Sequence, residues 1–211
     1  MKYVKMLGLT VVAAATLTAL IGVSTASAGD LCSQPENPCS AANKYPVGVV
    51  VEFTGKPTES AKLVTTDEKT TLDTCTGSTI KWKITNAGSS TTTVTGSVST
   101  LDWSGCSFPT TTTQLSNLEG HTVGSGFNGT LTSDGEFRVT INTVLFGSCV
   151  YGVTAGTSLG TATGGKPGSF TANAVVKKLT GSEAACPETA KWTAGYGQTA
   201  PSNTGIYWSP S

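Results

Sequence analysis

His121 is the residue best suited to acid–base chemistry, because it is the only histidine in the chain and an imidazole titrates near neutral pH. A hydrolase would need a nucleophile and an orienting acid that converge on this ring in space. A single histidine specifies no reaction without that geometry. We therefore expect no catalytic residues, and we keep a small secreted hydrolase that uses His121 as the alternative.

Asp134 and Glu136 are the closest pair of acids in the middle of the chain, and in an extended strand they would share one side. Glycoside hydrolases place two carboxylates on opposite sides of the sugar, and these normally come from separate strands. A solvated turn at Asp134-Gly135 explains the pair better. With one histidine and no Cys-x-x-Cys pair, we also expect no metal and no cofactor.

The tryptophans and tyrosines are the remaining residues that could form a binding site, because exposed aromatic rings stack on sugars and anchor protein partners. Trp82 and Trp192 each share a strand face with apolar or small residues, so we expect both to pack in the core. Tyr207 and Trp208 are neighbours and must point to opposite faces of a strand. We therefore name Trp103, Tyr207 and Trp208 as candidate ligand-binding residues.

Short runs of alternating apolar and polar residues dominate the chain after Val47, separated by Gly, Asn, Asp, Ser and Pro. This pattern is typical of a sandwich or barrel of short strands. The chain leaves no room for helical crossovers, so its strands should be antiparallel. We predict an all-β, single-domain antiparallel β-sandwich, with a β-barrel as the alternative. Asn128-Gly129 and Asp134-Gly135 are predicted to form tight hairpin turns.

The first residues read as a secretory signal peptide: Lys2 and Lys5, an apolar run, and then Ala26-Ser27-Ala28 as a small-residue cleavage site. We predict a signal peptide over 1–28, a disulfide-looped segment over 29–45 and the β-domain over 46–211. We expect the mature protein to be secreted, extracellular or loosely attached to the cell surface, with no membrane span.

The six cysteines all follow the predicted cleavage site, and an even number of cysteines in an exported chain indicates disulfides. The sequence alone leaves their pairing open. We favour three bonds, which join Cys32 to Cys39, Cys75 to Cys106, and Cys149 to Cys186.

The last third of the chain resembles a group of exported β-rich proteins of actinobacteria. The resemblance lies in Cys149-x-Tyr151, in the glycine-rich turn over 160–165, and in Cys186-Pro-x-Thr-Ala-x-Trp-x-Ala-x-Tyr196. It implies an exported, disulfide-linked β-protein and carries no activity with it. The chain departs from the group at the Cys32 to Cys39 loop and in its threonine runs.

Charge narrows the range of partners, because 13 basic and 13 acidic residues leave a formal net charge of zero and no basic tract for nucleic acid. We expect a monomer with a structural, surface-associated or ligand-binding role and no enzymatic activity. The expected partners are a cell-envelope glycan, an apolar small molecule or another surface protein.

Overall fold

A computed structural model describes residues 28–124 and 126–210. Within these ranges the chain forms fourteen strands and no helix: β1 (Gly29–Cys32), β2 (Val50–Gly55), β3 (Ala61–Thr65), β4 (Thr71–Ala87), β5 (Val94–Cys106), β6 (Thr110–Gln114), β7 (Asn117–Val123), β8 (Asn128–Ser133), β9 (Phe137–Thr143), β10 (Gly147–Val153), β11 (Ser158–Thr163), β12 (Ser169–Lys178), β13 (Thr189–Ala200) and β14 (Tyr207–Pro210). No described segment is a helix of the length and apolarity needed to span a membrane. Except for Ala28, the predicted signal peptide lies outside the described residues.

Alternating side chains produce the strands, as β12 shows most clearly. Phe170, Ala172, Ala174 and Val176 are buried, while the residues between them face outward. A period of two is what a pleated strand requires when one of its faces covers a core.

Eight strands close into a barrel in the order β13, β3, β4, β5, β7, β8, β11 and β12, because β12 pairs again with β13. β2 and β3 each pair with both β4 and β13. They therefore fill successive parts of one strand position in the ring. All the described ladders are antiparallel. The prediction of an all-β antiparallel domain is confirmed, and the closed ring corresponds to the barrel alternative.

The barrel wall divides in two beyond β12. The first half of β12 pairs with β11 and continues into β8 and β7. Its last residues, Lys177 and Lys178, pair with β10 and continue into β9 and β6. Two three-stranded layers therefore leave the same edge of β12, and we call them the upper layer (β7, β8, β11) and the lower layer (β6, β9, β10).

Both predicted hairpin turns are wrong. Asn128 and Gly129 begin β8 instead of forming a turn. Asp134-Gly135 joins β8 to β9, but these two strands belong to different layers and do not pair with each other. Dipeptide turn preferences are local, whereas the division of the wall depends on contacts between distant segments.

The three favoured disulfides are confirmed: Cys32–Cys39, Cys75–Cys106 and Cys149–Cys186. The second bond joins cross-strand neighbours of β4 and β5. The segment over 29–45, expected as a loop, also contains β1, which pairs with β14 as a separate two-stranded sheet.

Candidate functional site

His121 lies on the outer face of β7 and is half-buried. Its Nε2 is 3.2 Å from the Thr132 hydroxyl and 3.6 Å from the Glu119 carboxylate. A catalytic relay places the nucleophile on one ring nitrogen and the acid on the other. Here the hydroxyl and the carboxylate both approach Nε2, so this arrangement is not such a relay.

Ser158 belongs to the sequence Gly156-Thr-Ser-Leu-Gly160, which matches the spacing of a nucleophile elbow and was missed in the sequence analysis. In a hydrolase that motif lies in a sharp turn from a strand into a helix. Ser158 instead begins β11 and is opposite Thr132 of β8. The turn from a strand into a helix that the motif needs is therefore absent at Ser158. In addition, Thr132 lies between Ser158 and His121.

Asp134 and Glu136 do not form a carboxylate pair. Asp134 is exposed, whereas Glu136 forms an ion pair with Arg138 of β9. The hydrogen bond from Arg138 to this carboxylate raises the pKa of the guanidinium. Glu136 is therefore used in a surface ion pair.

The three aromatic candidates lie in three different ring clusters. Trp208 stacks on Trp82, Tyr207 meets Phe127 edge to face, and Trp103 meets Trp192 edge to face. Trp208 is only 1% exposed, so it cannot present a ring to solvent, and its assignment to a binding surface is corrected. The three rings do not form one shared platform.

The interior of the barrel contains a cavity of about 90 Å³. It lies where the two layers part, because its walls include Leu118 and Leu131 from the upper layer and Phe137 and Ile141 from the lower layer. Protein interiors normally have few voids larger than a water molecule. At roughly 24 cal/mol per Å³, an empty space of this size costs about 2 kcal/mol of stability.

Trp103 and Trp192 form one side of this cavity and are both half-buried. Their ring centroids are 5.9 Å apart and their planes are inclined at 76°. The Trp103 indole N–H donates to the Thr112 hydroxyl at 3.0 Å. The indole nitrogen of Trp192 is buried, and no described side chain or backbone group accepts its hydrogen. Trp192 thus brings apolar ring surface and an unused donor to the cavity wall, and the indole nitrogen of Trp82, another lining residue, is likewise buried without a described acceptor.

Asp73 is a buried carboxylate in the cavity wall. Its Oδ1 accepts hydrogen bonds from the backbone N–H groups of Thr74 at 2.8 Å and Phe108 at 3.1 Å, and its Oδ2 accepts from the Thr110 hydroxyl. Buried charges need such partners to offset desolvation. Asp73 therefore anchors the segment that leads into β6.

Asp73 also lies with Cys75 and Cys106 in a group whose ligand atoms are within 4.8 Å of one another. A metal would need the cysteines as thiolates. Both sulfurs are joined in a disulfide, so these residues do not fit a metal ion.

A second, polar cleft of about 180 Å³ lies at the loop between β13 and β14. Gln198 on its wall is buried; its carbonyl accepts from the Gly168 N–H, and its amide donates to the carbonyls of Pro201 and Thr204. These bonds use both amide hydrogens. Gln198 therefore shapes the loop and offers no free donor to a ligand.

Trp192, which lines the cavity, and Thr112, which accepts the Trp103 N–H, were not selected in the sequence analysis. Trp192 shares its strand face with Ala194 and Tyr196 and was expected to pack in the core. Its contact with Trp103 joins β13 to β5, and no local pattern indicates that pairing. Thr112 lies in a threonine run without a distinguishing neighbour.

The fold and this site define a disulfide-linked, all-β barrel with an apolar internal cavity. No family model, curated protein or solved structure matches the chain. The resemblance to exported actinobacterial proteins therefore stays a prediction.

Proposed function

We propose that this protein is an exported, non-enzymatic β-barrel that binds a small apolar molecule in its interior. The observation that carries the proposal is the cavity of about 90 Å³ between the two layers. Binding pockets are mostly apolar and contain few polar groups, and this cavity has the same character. A bound molecule would recover contacts that the empty space lacks.

The size of the cavity limits the ligand. An engineered cavity of roughly 150 Å³ in another protein stays dry and takes up benzene or xenon. At about 90 Å³, the present cavity suits a compact group of a few heavy atoms, either as a free molecule or as the end of a larger one. A long acyl chain or a sugar would not fit without rearrangement.

The unused donor of Trp192 refines the class of ligand. Leaving a buried N–H without an acceptor costs about 1 to 3 kcal/mol. A ligand with one carbonyl or ether oxygen could accept this hydrogen while its apolar part fills the cavity. The preferred ligand is therefore a compact apolar molecule with a single hydrogen-bond acceptor.

Two observations support export. The three disulfides are typical of an oxidising compartment. In addition, β1 begins at Gly29, the first residue after the predicted cleavage site. A mature chain starting there would retain the whole β1–β14 sheet.

The hydrolase alternative is not favoured, because both polar partners of His121 approach the same ring nitrogen. A glycan platform made of Trp103, Tyr207 and Trp208 is not favoured either, since their rings lie in separate clusters.

Xenon binding tests the proposal. We expect xenon to shift the methyl NMR signals of cavity residues such as Val98 and Leu101 in a saturable manner. A Val98→Leu/Val176→Leu variant adds a methylene to two walls and should reduce the effect. The matched control is Val175→Leu, because Val175 is 52% exposed on the outer face of β12. If the shifts of the cavity methyls do not saturate, or are unchanged in the double variant, the proposal is wrong.

A further inference from the structure

The junction between β5 of the barrel and β6 of the lower layer lacks a backbone ladder among the described pairings. β5 pairs with β7 over Val94–Ser97, and a further hydrogen bond runs from the N–H of Val98 to the carbonyl of Ser116. Beyond this point β5 faces β6, but none of the described ladders joins these two strands. On its other side β6 pairs with β9. We call the junction between β5 and β6 the seam.

Among the described residues, the hydroxyl of Thr112 bridges the seam. Thr112 of β6 accepts the indole N–H of Trp103 and donates its own hydrogen to the carbonyl of Leu101, both in β5. A hydroxyl can donate and accept at the same time. Side-chain bonds through Thr112 therefore take the place of the backbone ladder found elsewhere around the barrel.

The seam lies directly against the cavity. Leu101 and Trp103 on one side of it and Thr110 on the other are cavity-lining residues. Separation of β6 from β5 would thus open the cavity to solvent from the side. By contrast, β4 and β5 are joined by a long ladder and a disulfide.

β6 is held at its start by Asp73, and the chain is held to β5 again beyond its end by the bond between Val98 and Ser116. Asp73 accepts from the hydroxyl of Thr110 at the start of β6 and from the N–H of Phe108 just before it. At the other end, Thr113, Gln114 and Leu115 are exposed, and the pairing with β9 is irregular between Thr112 and Gln114. Segments with few buried apolar contacts and exposed backbone hydrogen bonds open locally at low free energy. The part of β6 around Thr112 can accordingly separate from β5 between these two fixed points.

We propose that the seam is the entrance to the cavity, and that the Thr112 bridge controls how fast a ligand enters and leaves. This inference rests on the proposed ligand-binding function. Opening breaks the two hydrogen bonds of Thr112 and leaves the anchor at Asp73 in place. The walls that set affinity remain on other strands, so the bridge governs exchange rates more than affinity.

The test measures the exchange rate of xenon between the cavity and solvent by xenon NMR saturation transfer. The Thr112→Val variant keeps the shape of the side chain but loses the hydroxyl and both of its hydrogen bonds. We expect exchange about tenfold faster, which corresponds to about 1.4 kcal/mol. Its equilibrium affinity for xenon should stay within about twofold of the original. The Thr112→Ser variant retains a hydroxyl and should restore slow exchange.

The matched control is Thr111→Val, since Thr111 is the exposed neighbour on the same strand. It should leave exchange unchanged. Equal exchange rates in Thr112→Val and the original protein, or equal acceleration in the Thr111 control, would overturn the seam as the entrance while the cavity still binds xenon. Absence of xenon binding in the unsubstituted protein would instead overturn the proposed function and the entrance together.

Discussion

The ring of Trp208 stacks on the ring of Trp82, with centroids 6.2 Å apart and planes inclined at 17°. Trp82 belongs to β4 of the barrel and Trp208 to β14 of the two-stranded sheet, so this contact attaches the two sheets to each other. Both side chains are almost completely buried. None of the described ladders joins the sheet of β1 and β14 to the barrel, so this aromatic packing acts together with single backbone contacts such as the hydrogen bond from the Trp208 N–H to the Phe127 carbonyl.

Two glycines make room for Trp208. A Cβ at Gly120 of β7 would lie 2.2 Å from the Trp208 ring, and one at Gly129 of β8 would lie 2.5 Å from it. Such distances are far inside van der Waals contact. The ring can lie flat on the strands only because these positions carry no side chain.

We predict that Gly120→Ala destabilises the protein by about 1 to 3 kcal/mol, the usual cost of overpacking a filled core. Gly197→Ala is the matched control, because a Cβ at Gly197 would meet no atom within 4 Å, and its effect should be within about 0.5 kcal/mol. Urea unfolding followed by tryptophan fluorescence measures both. Equal midpoints for the two variants would show that Trp208 does not depend on the bare backbone of β7.

Trp192→Phe tests the class of ligand. We expect the original protein to discriminate between cyclopentanone and methylenecyclopentane, which have similar shapes and differ in a carbonyl oxygen. Loss of the indole N–H should reduce the relative affinity for the ketone about fivefold, corresponding to one net hydrogen bond of roughly 1 kcal/mol. Titration of each ligand against each protein by NMR gives this ratio.

Trp103→Phe serves as the control for the same pair of ligands. The N–H of Trp103 is already donated to Thr112, so its loss should leave the ratio of the two affinities unchanged. If Trp192→Phe also leaves the ratio unchanged, the unused donor does not select the ligand, and the cavity recognises shape alone.

Local pattern was enough to predict the strands, because a period of two in segments such as β12 reports directly which face is buried. The bond between Cys75 and Cys106, favoured among pairings that the sequence left open, joins the two ends of the hairpin of β4 and β5. The cavity could not be predicted in this way. It exists because β10 and β11 pair with different parts of the same edge of β12, and no residue in either strand encodes that choice by itself.

Glycine was the most misleading residue type for the same reason. Gly129 suggested a tight turn after Asn128, but its role is to let Trp208 approach the backbone of β8. A close approach between segments nearly eighty residues apart leaves no local trace. Trp192 was likewise interpreted from its own strand, whereas its role depends on Trp103 in β5.

Buried tyrosines predict how stability depends on pH. Burial raises the pKa of Tyr45 and of Tyr151 from the ordinary 10.0 to about 12, and nearby Glu188 adds to the effect at Tyr151. Burial also raises the pKa of Tyr196, whose hydroxyl is hydrogen-bonded to Ser78. In each case the folded protein holds the phenolic proton more tightly than the unfolded chain does.

The sign of the effect follows from linkage, because stability falls with rising pH wherever the native state binds more protons than the unfolded state. The contribution of these tyrosines is fully present below pH 10 and is lost as pH rises from about 10 to about 12. We therefore expect the free energy of unfolding in urea to be insensitive to these groups below pH 10 and to fall steeply above it.

Tyr45→Phe should lower stability at pH 8 by about 1 kcal/mol, since it loses the hydrogen bond to the Gly205 carbonyl, and should make the alkaline decline shallower. Phenolate absorbance of the folded and urea-unfolded protein provides the direct comparison. Coincident titration curves for the two states would contradict the prediction, because tyrosines that ionise equally in both states cannot couple folding to pH.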